Sequence, residues 1–302
     1  MQALRIQGIG FSLFATLVTL AGFVLPQPNQ TMELIIMAAF IVLLGVPHGA
    51  LDTVFAARLY QVQSIWGWML FALLYFAPVL LVIAVWKLTP VLFLLGFLLI
   101  SIGHFSGDPA EGTPLASRII YAGLIIILPA LLHSAEVTRL FSFLVGTAAA
   151  SQIVPWLRLL GGPWLLAALV AVLACARKAD WQTGMEIASV SFLSLLASPL
   201  VAFAVFFCGM HSARHILRTF EYSSRSSPRL LALASFGPMV AVLILFGAAS
   251  LWLHGVSLEA RVIQLVFVGL AGLTVPHMAL VERVRFSGWV TPAKGSYEAS
   301  LS

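Results

Sequence analysis

The hydrophobic positions of this chain form long unbroken runs rather than short periodic patterns. Ten stretches of at least 17 residues contain no Asp, Glu, Lys or Arg: 6–32, 34–51, 59–86, 88–107, 119–135, 140–157, 159–176, 187–213, 230–258 and 262–281. About 20 mostly apolar residues can cross a bilayer as an α-helix, and backbone groups in lipid must pair within their own segment. The pattern therefore predicts an all-α, polytopic transmembrane bundle of eight to ten helices.

Two parts of the pattern leave the helix count open. Gly146, Pro155 and the string Gly161-Gly162-Pro163 interrupt stretches 140–157 and 159–176, so 140–157 can form a re-entrant loop instead of a span. Stretch 187–213 forms either one long helix or two helices broken at Ser198-Pro199.

The composition excludes a soluble protein of this length. Hydrophobic residues make up 61% of the 302 residues and charged residues only 9%, whereas soluble domains have about 45–50% apolar and about 25% charged residues. Two cysteines cannot form a disulfide scaffold. We expect a single integral membrane domain over residues 1–302, in which residues 286–302 form a short, polar, flexible tail.

The net charge of +5 indicates membrane orientation rather than nucleic-acid binding. Arg and Lys residues lie between the hydrophobic runs, and such loops mark the cytoplasmic side of a membrane. The basic segments 214–229 and 283–294 are the strongest examples. We therefore expect a multi-pass protein of the inner (plasma) membrane with both termini in the cytoplasm.

The histidines are the most informative polar residues, because ionisable side chains inside membrane helices are costly. Five of the seven lie late in hydrophobic runs that should all cross the membrane in the same direction, namely His48, His104, His211, His215 and His277. These five should therefore lie toward one side of the bundle. The other two, His133 and His254, fall near helix ends and are expected to be structural.

The local spacing of the histidines points to a metal site. His211 and His215 are four residues apart, so both rings can share one helical face and reach one metal ion. His48 and His104 are each followed four residues later by an acid, Asp52 and Asp108. A ligating histidine usually donates its other ring N–H to such a partner, although Asp108, which precedes Pro109, can instead cap a helix.

A short internal similarity adds His277 to this group. Val46-Pro47-His48-Gly49-Ala50-Leu51 resembles Val275-Pro276-His277-Met278-Ala279-Leu280, and an acid, Glu282, follows the second copy. A proline inside a helix frees a carbonyl group and kinks the axis, which suits a polar pocket. Neutral imidazole suits Zn, Cu, Fe and Ni, so the spacing of the histidines does not identify the metal. A heme bound between pairs of histidines is an alternative to a single metal ion.

These strings resemble the signature of a known family. Pro47-His48-Gly49-Ala50-Leu51-Asp52, Gly103-His104-Phe105-Ser106-Gly107-Asp108, His211-Ser-Ala-Arg-His215 and Pro276-His277-Met278-Ala279-Leu280 are similar to motifs of the Brp/Blh family of bacterial and archaeal membrane β-carotene 15,15′-dioxygenases. The similarity spans about residues 34–285.

The resemblance implies Fe(2+)- and O2-dependent cleavage of β-carotene at its central double bond, which gives two all-trans-retinal molecules. It implies that His48, His104, His211 and His215 are the iron ligands. His277 matches a family motif as an outer partner or an additional ligand, beside Asp52, Asp108 and Glu282. A carotenoid is apolar and nearly as long as a bilayer is thick, so such an enzyme can take it directly from lipid. Retinal as product also suggests a functional link to a retinal-binding rhodopsin.

Two other classes of protein compete with this interpretation. Membrane desaturases and hydroxylases carry about eight histidines in HxxxH and HxxHH boxes, whereas this chain has one HxxxH and no adjacent pair. A non-enzymatic transporter or an opsin-accessory protein could also use a polyhistidine site. Internal repeats and broken helices would favour a transporter, and bound iron with O2 consumption would favour the enzyme.

Overall fold

The computed structural model describes residues 2–26, 29–178, 180–223 and 228–284, and the expected tail at 286–302 lies outside these ranges. Helices dominate the described part of the chain. In chain order they are α1 (Gln2–Val24), α2 (Gln30–Tyr60), α3 (Ile65–Leu88), α4 (Pro90–Phe105), α5 (Leu115–Leu132), α6 (Ser134–Val145), α7 (Thr147–Arg177), α8 (Trp181–Leu196), α9 (Pro199–Tyr222), α10 (Pro228–Trp252) and α11 (Leu258–Val284).

The prediction of a helical polytopic bundle is confirmed. By length and composition, eight helical segments of the described chain can cross a membrane, and α4 is a shorter apolar helix. Large apolar side chains point outward along the peripheral helices; on α3, for example, Leu73, Leu74, Leu80 and Leu81 are 64–68% exposed. A surface of this kind is stable only against lipid or a partner, so the chain is a multi-pass membrane protein.

The core lies where α1, α5, α8, α9 and α11 meet. Its largest fully buried side chains include Tyr121 and Leu124 on α5, Ile187 and Leu193 on α8, and Phe206 on α9. Phe206 contacts Tyr121 with ring centroids 5.9 Å apart. This packing fixes α9 against the centre of the bundle, and α9 carries two of the predicted metal ligands.

The structure settles the two doubtful stretches. Residues 147–177 form one continuous helix through Pro155 and Pro163, so the idea that 140–157 and 159–176 are separate spans is wrong. Prolines are tolerated inside membrane helices because neighbouring groups satisfy the freed carbonyls. The break lies instead at Gly146, whose φ of 82° ends α6. Stretch 187–213 is broken at Ser198-Pro199, as one of the two alternatives predicted.

Three helices widen locally into π-helical turns. These turns cover Ile41–Gly45 in α2, Phe206–Ser212 in α9 and Gln264–Val268 in α11. Each of these helices carries at least one of the five clustered histidines. Single π turns are often found at functional sites, because they redirect side chains without ending the helix.

Candidate metal centre

Five histidines from four helices meet inside the bundle. Ring centroids lie 4.9 Å apart for His48 and His211, 5.1 Å for His48 and His277, and 4.8 Å for His215 and His277. His104 lies 4.5 Å from His211 and 5.2 Å from His277. The structure therefore brings together all five histidines that the sequence places on one side, including the pair with HxxxH spacing.

The backbone before His48 explains the orientation of its ring. Pro47 cannot donate a hydrogen bond, and the amide of Gly49 donates to Val46 O rather than to Gly45 O. The Gly45 carbonyl is thereby available to the side chains, and it lies 2.5 Å from Nδ1 of His48. Ser212 Oγ on α9 lies 3.0 Å from the same Nδ1. These contacts aim Nε2 of His48 toward the other rings.

Gly45 is also required sterically. A Cβ atom at this position would lie 2.3 Å from the ring of Phe207 on α9, far inside van der Waals contact. Phe207 in turn packs edge-on against the ring of His48, with centroids 5.4 Å apart. The close approach of α2 and α9 at Gly45 therefore places His48 beside the two histidines of α9.

Asp108 holds His211. Its two carboxylate oxygens lie 3.0 and 3.1 Å from His211 Nδ1, and both side chains are buried. Arg214 and Arg218 each donate to the backbone carbonyl of Asp108 at 2.9 Å. These bonds attach the loop that follows α4 to α9 and hold the carboxylate of Asp108 beside His211.

Asp52 holds His277 in the same manner. Its Oδ1 lies 2.7 Å from His277 Nδ1, and its Oδ2 accepts a hydrogen bond of 2.7 Å from the hydroxyl of Tyr75 on α3. Asp52 and His277 are buried, with 2% and 3% of their surfaces exposed. A three-residue chain therefore runs from α3 through α2 to the histidine of α11.

The pairing of acids and histidines differs from the sequence expectation. Asp52 was expected to hold His48 on its own helix, which is wrong: a tight turn at Leu51, with backbone bonds that span three residues, rotates Asp52 toward His277. Asp108 lies in the turn beyond α4, which ends at Phe105, so it reaches His211 across the bundle. The helix-cap alternative for Asp108 is also wrong, since α5 begins at Leu115 behind Pro114.

The donor set of the cluster fits a metal ion. Nε2 of His211 and of His277 is buried and has no hydrogen-bond partner among the described residues. Leaving a buried polar atom unsatisfied costs about 1–3 kcal/mol, and a bound metal removes that cost. In two groups of three residues the possible ligand atoms all lie within 4.8 Å: His48, His104, His277 and Asp52, His215, His277.

The charge of the cluster also fits a divalent cation. Neutral imidazoles contribute no charge, whereas Asp52 and Asp108 are buried carboxylates. Buried charges are tolerated when they are paired or lie beside a metal. Two carboxylates that accept from the Nδ1 atoms of His211 and His277 would balance the charge of a 2+ ion held by neutral imidazoles.

An apolar cavity adjoins the cluster on one side. Aromatic and aliphatic side chains from α3, α4, α9, α10 and α11 form most of its wall, including Phe71, Phe97, Phe203 and Leu273. Its polar end contains His48, His104, His277, Asp52 and Tyr75. Such a wall is chemically suited to a hydrocarbon chain.

A polar cavity adjoins the opposite side of the cluster. His104, His211 and His215 reach it, together with Asp108 and Glu282. Of the clustered histidines, only His104 borders both cavities. Glu282 is half-buried and lines this cavity rather than joining either group of close ligand atoms.

Arg214, which lines the polar cavity, forms a buried ion pair with Glu186. Arg214 donates two hydrogen bonds to Glu186 on α8, at 2.7 and 2.9 Å, and a third to Gln7 on α1 at 2.9 Å. Gly8 makes room for the pair, because a Cβ there would lie 2.2 Å from the carboxylate of Glu186. Sequence reasoning missed Glu186 and Tyr75, since neither has a histidine or an acid three or four residues away that would reveal it.

The two remaining histidines lie apart from the centre. His133 Nε2 contacts the carbonyl of Leu195 at 3.0 Å, and His254 is exposed, with Nδ1 2.8 Å from Leu251 O. Both positions agree with the structural role expected for them. Cys175 and Cys208 also lie outside the groups of close ligand atoms.

Comparisons with known proteins point to one family. The model of the family described as Beta-carotene 15,15′-dioxygenase matches residues 39–284. A beta-carotene 15,15′-dioxygenase from an uncultured marine bacterium, 66A03, is 30% identical over 256 residues, which cover 81% of this chain and 91% of that protein. A probable beta-carotene 15,15′-dioxygenase Blh from Halobacterium salinarum is 28% identical over 284 residues, 81% of this chain and 82% of that protein. No solved structure matches the chain significantly.

Proposed function

The chain belongs to the beta-carotene 15,15′-dioxygenase family, and we propose that it cleaves β-carotene at the central 15,15′ double bond to give two molecules of all-trans-retinal. The observation that carries this proposal is the position of the histidine cluster at the end of an apolar cavity, which His48, His104 and His277 line. A hydrocarbon in that cavity would lie against the imidazole cluster without crossing water.

The proposed cofactor is Fe(2+). Imidazole ligands suit zinc, copper, iron and nickel, but zinc has no redox chemistry, and the reaction consumes O2. His48, His104, His211 and His215 are the proposed ligands, and the central position of His277 makes it the fifth. When bound there, iron would activate O2 for attack on the double bond.

The side chains around the proposed metal would orient its ligands. Asp52 and Asp108 accept the Nδ1–H of His277 and His211, which fixes the tautomer with Nε2 toward the metal. The contacts of Gly45 O and Ser212 orient His48 in the same manner. The rings of His48, His211 and His277 are therefore oriented by hydrogen bonds to their Nδ1 atoms.

The wall of the apolar cavity would position the substrate. Phe97 on α4 and Phe203 on α9 line the cavity that leads to the cluster, so the polyene can lie with its centre near the histidines. In the overall reaction one carbon–carbon double bond breaks, and each product aldehyde receives one oxygen atom of O2. No external reductant is needed, because both oxygen atoms of O2 end in the two aldehydes.

The proposed location is the inner (plasma) membrane with both termini in the cytoplasm, and the lipid bilayer supplies the substrate. The basic segments 214–229 and 283–294 support this orientation. A retinal-binding rhodopsin would be a fitting acceptor for the product, because retinal is apolar and is released within the membrane.

Expression in bacteria that accumulate β-carotene tests the proposal. The cells should lose colour and gain retinal, whereas cells that express His48→Ala should stay coloured. His133→Ala is the matched control, and it should bleach the cells like the wild type. Unchanged colour with well-folded wild-type protein would reject the activity and would favour the transporter or opsin-accessory alternative.

A further inference from the structure

The hydroxyl of Tyr75 joins the substrate cavity to the histidine cluster. The side chain lines the apolar cavity, and its hydroxyl donates to Asp52 Oδ2 at 2.7 Å. The other oxygen of Asp52 accepts from His277 Nδ1, also at 2.7 Å. Tyr75 is therefore the outer member of a hydrogen-bonded chain that ends at the metal-facing ring of His277.

The hydrogen bond from Tyr75 to Asp52 also affects the orientation of His277. A carboxylate that accepts only from His277 could turn about its Cβ–Cγ bond, but Tyr75 holds its second oxygen. The plane of the carboxylate is thus set by two donors from different helices, α3 and α11. A ring that is oriented by such a carboxylate can turn only if both bonds adjust, which fixes the direction of His277 Nε2.

We propose that Tyr75 is a positioning residue for the metal centre and that it acts on His277 through Asp52. The proposal rests on the proposed function of the histidine cluster as a metal site. Tyr75 does not contact the metal; its hydroxyl sets the orientation of Asp52, and its ring forms part of the wall beside which the polyene lies. One residue thereby links the packing of the cavity to the direction of a ligand.

The chain offers a matched control in Tyr121. Tyr121 is buried, 1% exposed, whereas Tyr75 is half-buried, and the hydroxyl of Tyr121 has no hydrogen-bond partner among the described residues. Tyr75→Phe and Tyr121→Phe remove the same atom, the phenolic oxygen, from a tyrosine ring inside the bundle. Only the first of these changes breaks the chain to His277.

The first measurement uses Co(II) as a probe, without carotenoid. Metal-free wild type, Tyr75→Phe and Tyr121→Phe are loaded with Co(II), and the visible absorption bands of the ion report the ligand geometry. The bands of Tyr75→Phe should shift and those of Tyr121→Phe should match the wild type. Identical bands in all three proteins would overturn the proposal. Wild type that binds no Co(II) would overturn both this proposal and the metal site itself.

The second measurement separates positioning from substrate binding. Loss of a direct partner of a metal ligand typically costs about 10–100-fold, so the loss of Tyr75, one bond further out, should lower kcat about threefold to tenfold. The KM for β-carotene should stay within about twofold, because the ring that lines the cavity is retained. A raised KM with unchanged kcat and unchanged Co(II) bands would mean that Tyr75 is only part of the cavity wall.

A double variant tests whether Tyr75 acts through Asp52. If it does, Tyr75→Phe should add little to the loss in kcat that Asp52→Asn already causes, since residues of one network are not additive. Fully multiplicative losses in Tyr75→Phe/Asp52→Asn would contradict the proposed chain. The Co(II) measurement needs no turnover, so failure of the cleavage activity and failure of this proposal can be told apart.

Discussion

The two sides of the histidine cluster are built on the same plan but face different surroundings. On one side Asp52 holds His277, and both border the apolar cavity. On the other side Asp108 holds His211, and both border the polar cavity. Each acid comes from a different helix or loop than the histidine it orients, so the bundle must be assembled before the histidines are aligned.

The two sides differ in the groups that form hydrogen bonds to each acid. Asp52 is backed by the hydroxyl of Tyr75, in a wall of aromatic and aliphatic groups. Asp108 is backed through its carbonyl by Arg214 and Arg218, beside the buried pair with Glu186. The same orientation of a histidine by an acid is thus supported in two ways. A neutral hydroxyl supports the acid beside the apolar cavity, and two arginines support the acid beside the polar cavity.

The largest effect is expected from loss of a ligand. Alanine at His48, His104, His211 or His215 should abolish both iron binding and retinal formation, because each removes a ring from the centre of the cluster. His254→Ala is the control, since that residue is exposed and lies apart. Iron content and product are measured on purified proteins. Full activity in His104→Ala would refute the ligand assignment, as His104 is the histidine that borders both cavities.

The two acids give the next largest effect and test the shared plan directly. Asp52→Asn and Asp108→Asn keep the shape but lose the charge, and each should lower metal affinity or activity about 10–100-fold. Iron titration of both variants at matched folding is the measurement. Unchanged affinity in both would show that the acids are structural. A loss in only one of them would show that the two sides are not equivalent.

Filling either cavity should have a smaller effect, and only the apolar cavity should affect the KM for β-carotene. Ala72 lines the apolar cavity and Ala110 the polar one, so tryptophan at each position fills one space. Overpacking costs about 1–3 kcal/mol. We expect Ala72→Trp to raise the KM for β-carotene about tenfold with normal iron content, and Ala110→Trp to leave the KM unchanged. The reverse result would place the substrate in the polar cavity.

Sequence reasoning predicted the convergence of the histidines but not their partners. The five positions follow from counting membrane crossings, because the missing separate span at 140–157 and the break at Ser198-Pro199 change the count in opposite directions. The partners of Asp52 and Asp108 depend on a tight turn at Leu51 and on the end of α4 at Phe105. A rule of four residues holds only within a regular α-helix, so it pairs each acid with the wrong histidine.

The helix boundaries show the same limit. The break at Ser198-Pro199 was one of two readings, and it is the observed one. The string Gly161-Gly162-Pro163 does not break α7, because the weak helix propensity of these residues in water is overridden by the need to pair backbone groups in lipid. Tyr75 gave no signal, since its role exists only when α3 is packed beside α2.

The central claim is symmetric cleavage of β-carotene by O2 at the histidine-held metal, and reaction stoichiometry tests it most directly. Purified, iron-loaded protein is given a limiting amount of β-carotene while O2 consumption and all products are measured. The account predicts one O2 consumed and two retinal molecules formed for each β-carotene that disappears. Apocarotenals of unequal length, or loss of β-carotene without O2 consumption, would contradict it.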